Sequence, residues 1–298
     1  MPVFIMIYLP GFKQRRGERF LSFLKKGQPQ KKYDKTRNRS RINANVYNTF
    51  GQTIMIPQIS QAPGLVQLVL TFLESLKEQG FTGDMATSYA DRLSLSTDNS
   101  IYQLLPDAAL FPRSTADVAL LARVAGEARF ASLVFTPRGG GTGTNGQSLN
   151  QGIVVDMSRY MNRILEINTD EGWVRVEAGV IKDQLNAWLK PFGFFFSPEL
   201  STSNRATLGG MINTDASGQG SLVYGKTSDH VLGLRAVLLG GDILDTRPMA
   251  TALAETLAQT ATPEGRIYQQ VLTRCREHRD LILEKFPRLN RFLTGYDL

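Results

Sequence analysis

Glycine dominates residues 138–146, which read RGGGTGTNG. Because glycine has no Cβ, it adopts positive φ readily and lets the backbone approach a bulky anion. Successive backbone N–H groups can then converge on a phosphate, and the hydroxyls of Thr142 and Thr144 add further donors. A flexible surface loop is the alternative, but the apolar runs at 133–136 and 153–156 predict buried strands on both sides. The segment therefore predicts a pyrophosphate-binding loop held between two strands.

Three of these glycines, Gly141, Gly143 and Gly146, also match the GxGxxG pattern of dinucleotide-binding enzymes. That pattern requires a helix directly after the loop, with its N-terminus facing the pyrophosphate. Residues 147–152 instead lead straight into the apolar run IVVD, and no helical periodicity follows. The loop also lacks the GK[ST] ending of a P-loop. Both a Rossmann fold and a P-loop are therefore excluded.

Side chains that could act as a nucleophile, a base or a metal ligand are few. His230 comes directly before an apolar strand, and Cys275 and His278 lie three residues apart on a helical stretch. A structural role at the turn is the simpler interpretation of His230. A surface or packing role is the simpler interpretation of Cys275 and His278, because a metal pair would need further soft ligands nearby. The sequence shows no Ser-His-Asp arrangement and no acidic metal cluster. It therefore predicts no metal site and identifies no catalytic residue.

The single cysteine also limits what the chain can build. Cys275 alone forms neither an intrachain disulfide nor an iron–sulfur cluster. One cysteine in 298 residues is typical of a reducing compartment, so we expect a cytoplasmic protein. Its hydrophobic content of 42% and charged content of 20% are those of a globular protein. No apolar stretch approaches the roughly 18–20 residues of a membrane-spanning helix.

The net charge of +7 is concentrated in one segment. Residues 1–54 hold twelve Lys or Arg and two acids, which gives +10 and leaves −3 for residues 55–298. We therefore expect residues 1–54 to be a basic, disordered extension, and expect no nucleic-acid partner for the acidic remainder. For the basic part, 13–41, an arm that binds RNA or a membrane surface and an organelle transit peptide stay open. Because Met55 begins a stretch typical of an N-terminus, a start codon placed too far upstream is a further explanation.

Hydrophobic periodicity after residue 55 predicts helices and strands in a mixed order. We expect residues 55–103 to be a helical lead-in, with one helix at 64–80 that ends at Gly80. A second helix begins at the capping sequence Ser114-Thr-Ala-Asp117. The later elements are strands at 164–168 and 173–179, a helix at 180–192, a hairpin of 231–239 and 242–246 turned at Gly240-Gly241, and helices at 251–259 and 265–285.

Four blocks in a fixed order resemble a known family. They are RGGGTGTNGQ (138–147) with IVVDMSRYMNR (153–163), VEAGV (176–180), SPELSTSNRATLGGMINTDASGQGSLVYGKTSDHV (197–231), and LRAVLLGGDIL (234–244). Together they resemble the vanillyl-alcohol-oxidase, or PCMH, type of FAD-binding domain in the branch of D-lactate, glycolate and D-2-hydroxyglutarate dehydrogenases. The stretch from Met55 resembles in particular the N-terminal part of large bacterial FAD-linked oxidases that act on D-2-hydroxyglutarate. The resemblance implies an α+β fold of two subdomains over residues 104–247.

The resemblance also implies which residues hold FAD. The backbone of 138–145 would cradle the pyrophosphate, and a second stretch would follow the ribityl and phosphate region toward Val231. The implied cofactor-binding residues are Arg138, Gly139, Gly140, Gly141, Thr142, Gly143, Thr144, Asn145, Pro198, Thr207, Leu208, Gly209, Gly210, Asn213, Ala216, Ser217, Gly218 and Val231. Tight helix packing is an alternative role for Gly209 and Gly210. Some family members tether the flavin through a loop histidine, and the equivalent position here is Thr142, so the resemblance implies non-covalent FAD.

For the intact enzyme the resemblance implies hydride transfer to FAD from a D-2-hydroxy acid of the D-2-hydroxyglutarate or D-lactate type. Such a reaction needs a base for the hydroxyl proton and a cation for the carboxylate, which the family places in a cap domain. We therefore expect a catalytically incomplete FAD-binding portion, with residues 248–298 as the helical start of a linker to the cap. Any iron–sulfur cluster would lie in residues outside these 298, and the sequence does not identify the electron acceptor. Two alternatives stay open: an FAD domain of another oxidase or cell-wall reductase class, and a polyanion-binding protein acting through 13–41.

Overall fold

The computed structural model describes residues 2–9 and 66–288, which are arranged around two β-sheets. The strands are β1 (Pro2–Tyr8), β2 (Asp84–Ala86), β3 (Ala108–Phe111), β4 (Phe135–Arg138), β5 (Ile153–Asp156), β6 (Ile164–Asn168), β7 (Trp173–Glu177), β8 (Val231–Val237) and β9 (Ile243–Asp245). The α-helices are α1 (Gln67–Glu78), α2 (Tyr89–Ser94), α3 (Thr115–Ala125), α4 (Lys182–Leu189), α5 (Leu208–Asn213), α6 (Ser221–Tyr224), α7 (Thr251–Leu257), α8 (Pro263–Glu277) and α9 (Arg279–Lys285). Short 3-10 helices occur at Ala128–Phe130, Lys190–Phe192 and Ser228–His230.

The first subdomain is built on a four-stranded sheet of order β2-β3-β5-β4. Strands β3, β5 and β4 are parallel, and β2 adds an antiparallel edge. All four residues of β5 are buried, as expected of a strand covered on both faces. Helices α1 and α3 supply Phe72 and Leu121 to the same core as Ile153 and Phe130, and the Phe72 and Phe130 rings meet edge-on at 5.1 Å. The predicted helix–strand unit around the glycine loop is therefore confirmed.

The interpretation of residues 55–103 as a lead-in outside the domain is wrong for the part that the structure describes. Phe72 and Leu76 of α1 are fully buried in the first core, and β2 pairs with β3. A three-residue strand such as β2 is too short for its alternation to be recognised in a sequence. The helix predicted at 64–80 is confirmed, and Gly80 follows its C-cap with a φ of 89°.

The capping sequence of α3 forms, with one difference from the expected pattern. The Ser114 hydroxyl accepts a hydrogen bond from the Asp117 N–H at 3.2 Å, as predicted. The Asp117 carboxylate does not return to Ser114 but accepts from Arg113 N at 2.9 Å and from both N and Oγ1 of Thr82 at 2.8 Å. Asp117 is only 3% exposed, so it satisfies its charge by joining the helix start to the turn before β2.

The second subdomain is built on an antiparallel sheet of order β6-β7-β1-β8-β9. Its core contains Leu185 of α4, Leu208 of α5 and Phe196, all fully buried. The predicted hairpin is confirmed, since β8 and β9 are joined through Gly240 and Gly241, with φ of 99° and 90°. The mainly antiparallel second unit expected from the sequence is therefore present.

The expectation that residues 1–54 lie outside the fold is wrong for β1. This strand lies between β7 and β8, and Ile5, Ile7 and Leu9 are at most 1% exposed. The apolar run VFIMIY has strong β propensity, and antiparallel pairing on both sides satisfies its backbone. The rest of the extension, including the basic part 13–41 and its possible partners, lies outside the described residues.

The helices α7, α8 and α9 occupy the stretch in which only helical pattern was predicted. Their proposed role as the start of a linker stays a prediction. Within residues 2–9 and 66–288, no helix combines the length and apolar character needed to cross a membrane.

Candidate functional site

The glycine loop leaves β4 at Arg138 and lies against the start of α5 in the second subdomain. An ideal Cβ built on Gly139 would lie 2.1 Å from Thr207 Oγ1, and one built on Gly140 would lie 2.0 Å from the Arg205 carbonyl oxygen. Real Cβ atoms do not approach other atoms so closely. The loop is therefore rich in glycine because two backbone segments from different subdomains touch here.

Arg138 supports the loop from behind. Its guanidinium donates to the carbonyl oxygen of Thr97 at 2.7 Å, and Nη1 lies 3.4 Å from both Leu95 O and Ser148 Oγ. An ideal Cβ on Gly141, whose φ is 60°, would lie 2.7 Å from Arg138 Nη2. Burial lowers the pKa of Arg138, although the nearby Asp156 and Asp98 carboxylates oppose that shift. The Arg138 side chain therefore braces the loop and does not line the cavity described below.

Helix α5 presents the opposite side of the site. Thr207 is its N-cap, and the Thr207 hydroxyl accepts from Gly210 N at 3.4 Å. Leu208 is fully buried in the second core, and Gly209 N donates to Ala178 O at 2.8 Å. A Cβ on Gly209 would lie 2.9 Å from the Ala178 Cβ, whereas a Cβ on Gly210 would meet only Thr207 Oγ1, in a tight contact at 3.3 Å. Gly209 thus serves tight packing, and Gly210 faces the site.

A cavity of about 700 Å³ lies between the glycine loop and α5. This volume is within the usual range for small-molecule and cofactor sites. Of the residues implied from the sequence, the cavity is lined by Gly139, Gly140, Gly141, Thr142, Gly143, Thr144, Thr207, Gly210, Asn213 and Ala216. The lining residues that were not foreseen are Pro137, Gln147, Ser148, Leu200, Thr202, Ala206, Met211 and Thr214.

The other implied residues are not part of the cavity lining: Arg138, Asn145, Pro198, Leu208, Gly209, Ser217, Gly218 and Val231. Asn145 is exposed, and its N–H donates to the Gln147 side chain at 3.0 Å. Pro198 is buried, and Gly218 lies against the Glu199 carbonyl, which a Cβ would overlap. Val231 begins β8 and pairs with Ile7 in the sheet. Their contact with a cofactor remains a prediction.

In the part of the chain that the structure describes, the lining is mixed in polarity and carries no charged side chain. Among the described residues that form it, the polar side chains are hydroxyls and amides, and no Asp, Glu, Lys, Arg or His is present. A pyrophosphate placed here would meet backbone amides and threonine hydroxyls rather than basic side chains. The cradle fits such a group, because the backbone of residues 139–144 and the Thr142, Thr144 and Thr207 side chains line the cavity without a carboxylate that would repel a phosphate.

The residues with catalytic potential lie elsewhere. His230 is 7% exposed, and its Nε2 is 2.6 Å from Tyr224 O and 3.0 Å from Ser197 Oγ. These bonds hold the start of β8, which agrees with the structural role expected from the sequence. Cys275 and His278 lie at the end of α8, and the described residues contain no group of three or more His, Cys, Asp or Glu that could hold a metal ion.

Comparison with known proteins agrees with this geometry. Residues 106–247 match the family described as FAD binding domain. D-2-hydroxyglutarate dehydrogenase of Pantoea ananatis (strain AJ13355) is 91% identical over 244 residues, which cover 82% of this chain and 24% of that protein. The protein of the same name from Escherichia coli (strain K12) is 79% identical with the same coverage. The chain thus spans about a quarter of the length of these curated relatives.

A solved structure supports the fold. An alkyldihydroxyacetonephosphate synthase matches with a TM-score of 0.54 and 22% identity, over 64% of this chain and 37% of that one. The predicted α+β architecture of two subdomains is therefore confirmed. Residues 106–247 are thus similar to the FAD binding domain family, and the sequence around them is similar to that of D-2-hydroxyglutarate dehydrogenases.

Proposed function

We propose that this chain is the FAD-holding part of a dehydrogenase that oxidises a D-2-hydroxy acid of the D-2-hydroxyglutarate type. The observation that carries the proposal is the uncharged cavity between the glycine loop and α5, in a chain 91% identical to a D-2-hydroxyglutarate dehydrogenase over 244 residues. When bound, FAD supplies the hydride acceptor for the carbon that carries the substrate hydroxyl.

The part played by these residues is to bind and orient the cofactor. The backbone of residues 139–144 and the hydroxyls of Thr142, Thr144 and Thr207 would hold the pyrophosphate, while Asn213 and Ala216 would form the far wall. Thr142 occupies the loop position at which a covalent tether would need a histidine, and no histidine lines the described cavity. FAD is therefore proposed to be held non-covalently.

The acid–base chemistry must come from other groups. Oxidation of a hydroxy acid needs a base for the hydroxyl proton and a cation for the carboxylate, and the described lining offers neither. We propose that the base, the cation and any iron–sulfur cluster lie in the three quarters of the relatives' length that this chain does not span. The single cysteine supports a cytoplasmic setting for the protein.

A chimera tests this assignment. In the Pantoea ananatis relative, the matching quarter of the protein is replaced by this chain, and FAD is added. D- or L-2-hydroxyglutarate is then mixed with the chimera under anaerobic conditions. We expect the D-enantiomer alone to bleach the flavin band near 450 nm, and expect the 298-residue chain with FAD to stay oxidised with both. Bleaching by neither enantiomer in a flavin-loaded chimera, or equal bleaching by both, would overturn the proposed substrate.

A further inference from the structure

A strained residue lies in the far wall of the cavity. Asp215 has a φ of 42°, and it is the non-glycine residue with positive φ in the described part of the chain. This left-handed conformation is unfavourable for a residue with a Cβ, so surrounding contacts must hold it. Its neighbours Asn213, Thr214 and Ala216 all line the cavity. The conformation of Asp215 therefore decides where this wall segment, residues 213–216, is placed.

The contact that holds Asp215 is an ion pair with a buried lysine. Lys226 Nζ lies 2.8 Å from Asp215 Oδ2, and Ser228 N donates to Asp215 Oδ1 at 2.9 Å. The Lys226 side chain is only 7% exposed and that of Asp215 is 25% exposed. Burial acts to raise the pKa of Asp215, but the hydrogen bonds from Lys226 and Ser228 outweigh it, so that its pKa lies below the ordinary value.

The turn that carries Lys226 also holds the end of the wall segment. Thr227 donates to the Ala216 carbonyl oxygen through its N–H at 3.1 Å and its hydroxyl at 2.6 Å. Asp229 stabilises this turn, because its Oδ2 accepts a hydrogen bond from Lys226 N at 2.7 Å. Asp215 and Ala216 are thus both held from the same side, away from the cavity that Ala216 lines.

A contribution to the overall free energy of unfolding does not by itself explain why the Asp215–Lys226 ion pair is present. Replacing a buried ion pair with neutral groups often leaves the free energy of unfolding unchanged, because two charges no longer have to be desolvated. The position of this pair is specific, since it directly supports the wall of an otherwise uncharged cavity.

We propose that Lys226 is a positioning residue for the cofactor: its ion pair with Asp215 fixes the left-handed backbone at Asp215, and this places the Asn213–Ala216 wall against FAD. The inference rests on the proposed FAD site. Lys226 itself is not among the residues that line the cavity.

The test measures the dissociation constant for FAD by flavin fluorescence, and the thermal unfolding of each FAD-free variant. Lys226→Met should weaken FAD binding by about tenfold or more, because an unpaired Asp215 carboxylate no longer holds its strained backbone. The double variant Asp215→Gly/Lys226→Met should bind within about threefold of the native chain, since glycine adopts positive φ without cost. Asp215→Ala/Lys226→Met removes the same charges but keeps a Cβ, and should remain weak.

Arg235→Met is the matched control. It removes the cation of another ion pair, Arg235–Asp245 at 2.7 Å, in the β8–β9 hairpin outside the cavity lining. We expect its affinity for FAD to be unchanged. Native affinity in Lys226→Met, or equal affinities of the two double variants at equal folded content, would overturn the positioning role. Absence of FAD binding by the native chain would instead overturn the proposed function together with this inference.

Discussion

The carbonyl oxygen of Arg205 occupies the position that a Cβ at residue 140 would need, so only glycine fits there. An ideal Cβ on Gly140 would be 2.0 Å from that oxygen, which belongs to the backbone and cannot move aside like the end of a flexible side chain. The contact joins the loop after β4 to the turn before α5, so it fixes the width of the cavity between the two subdomains.

Gly140→Ala should therefore open the cavity and abolish tight FAD binding. We expect the dissociation constant to rise by about a hundredfold, which corresponds to roughly 3 kcal/mol. Gly220→Ala is the control, because its added Cβ would lie 3.4 Å from the Tyr224 ring, an ordinary contact, at a φ of −77°. Isothermal titration with FAD compares the two. Equal affinities would show that the contact with Arg205 does not shape the site.

Arg138→Met removes the brace under the glycine loop. The partly buried contact with Leu95 O and the exposed one with Thr97 O both lose a charged donor, so we expect a loss of about 1–3 kcal/mol in the free energy of unfolding. FAD affinity should fall as well, because the loop is no longer held. Lys285→Met, which breaks the exposed pair with Glu284, should cost under about 1 kcal/mol. Urea unfolding measures both, and similar losses would argue against a bracing role.

The stability of the FAD-free chain should depend on the charge of Asp215. Its folded-state pKa is below the ordinary value, so its contribution is fully present above the unfolded pKa of about 3.9. That contribution is lost as the pH falls from this value through the lowered folded-state pKa. Asp215→Asn should flatten the decline in unfolding free energy below about pH 4. An unchanged pH profile in this variant would contradict the ion pair with Lys226.

Strand β1 gives a prediction about the second subdomain. Ile7 lies on β1, the strand between β7 and β8, and its side chain is fully buried in the second core. Ile7→Ala should therefore destabilise the chain by about 2–5 kcal/mol. Tyr8→Ala, at a position that is 46% exposed on the same strand, should cost much less. Denaturant unfolding separates the two variants. If both leave the transition unchanged, the strand does not contribute to the fold in solution.

From the sequence we could predict the features that depend on residues close to one another along the chain. The glycine loop, the Ser114 cap and the Gly240-Gly241 hairpin could be recognised because each is built from a short segment with a specific backbone requirement. The cavity residues Leu200 and Met211 are ordinary apolar types, and only the folded chain brings them to the site.

Long-range pairing was the part that could not be predicted. Strand β1 pairs with residues more than a hundred and fifty positions away, and nothing local in its sequence names those partners. The ion pair of Asp215 and Lys226 was missed because no periodicity links them across the intervening glycine-rich stretch. Pro198 and Val231 came from the family resemblance alone, and both lie outside the cavity lining.

The most direct measurement is the retention of flavin by the purified 298-residue chain. FAD is added, free cofactor is removed by gel filtration, and the visible spectrum is recorded before and after denaturation. We expect about one FAD per chain, with structured bands between about 350 and 500 nm, released into the filtrate on denaturation. A chain that is folded but elutes without flavin would contradict the central claim that the cavity between the glycine loop and α5 holds FAD.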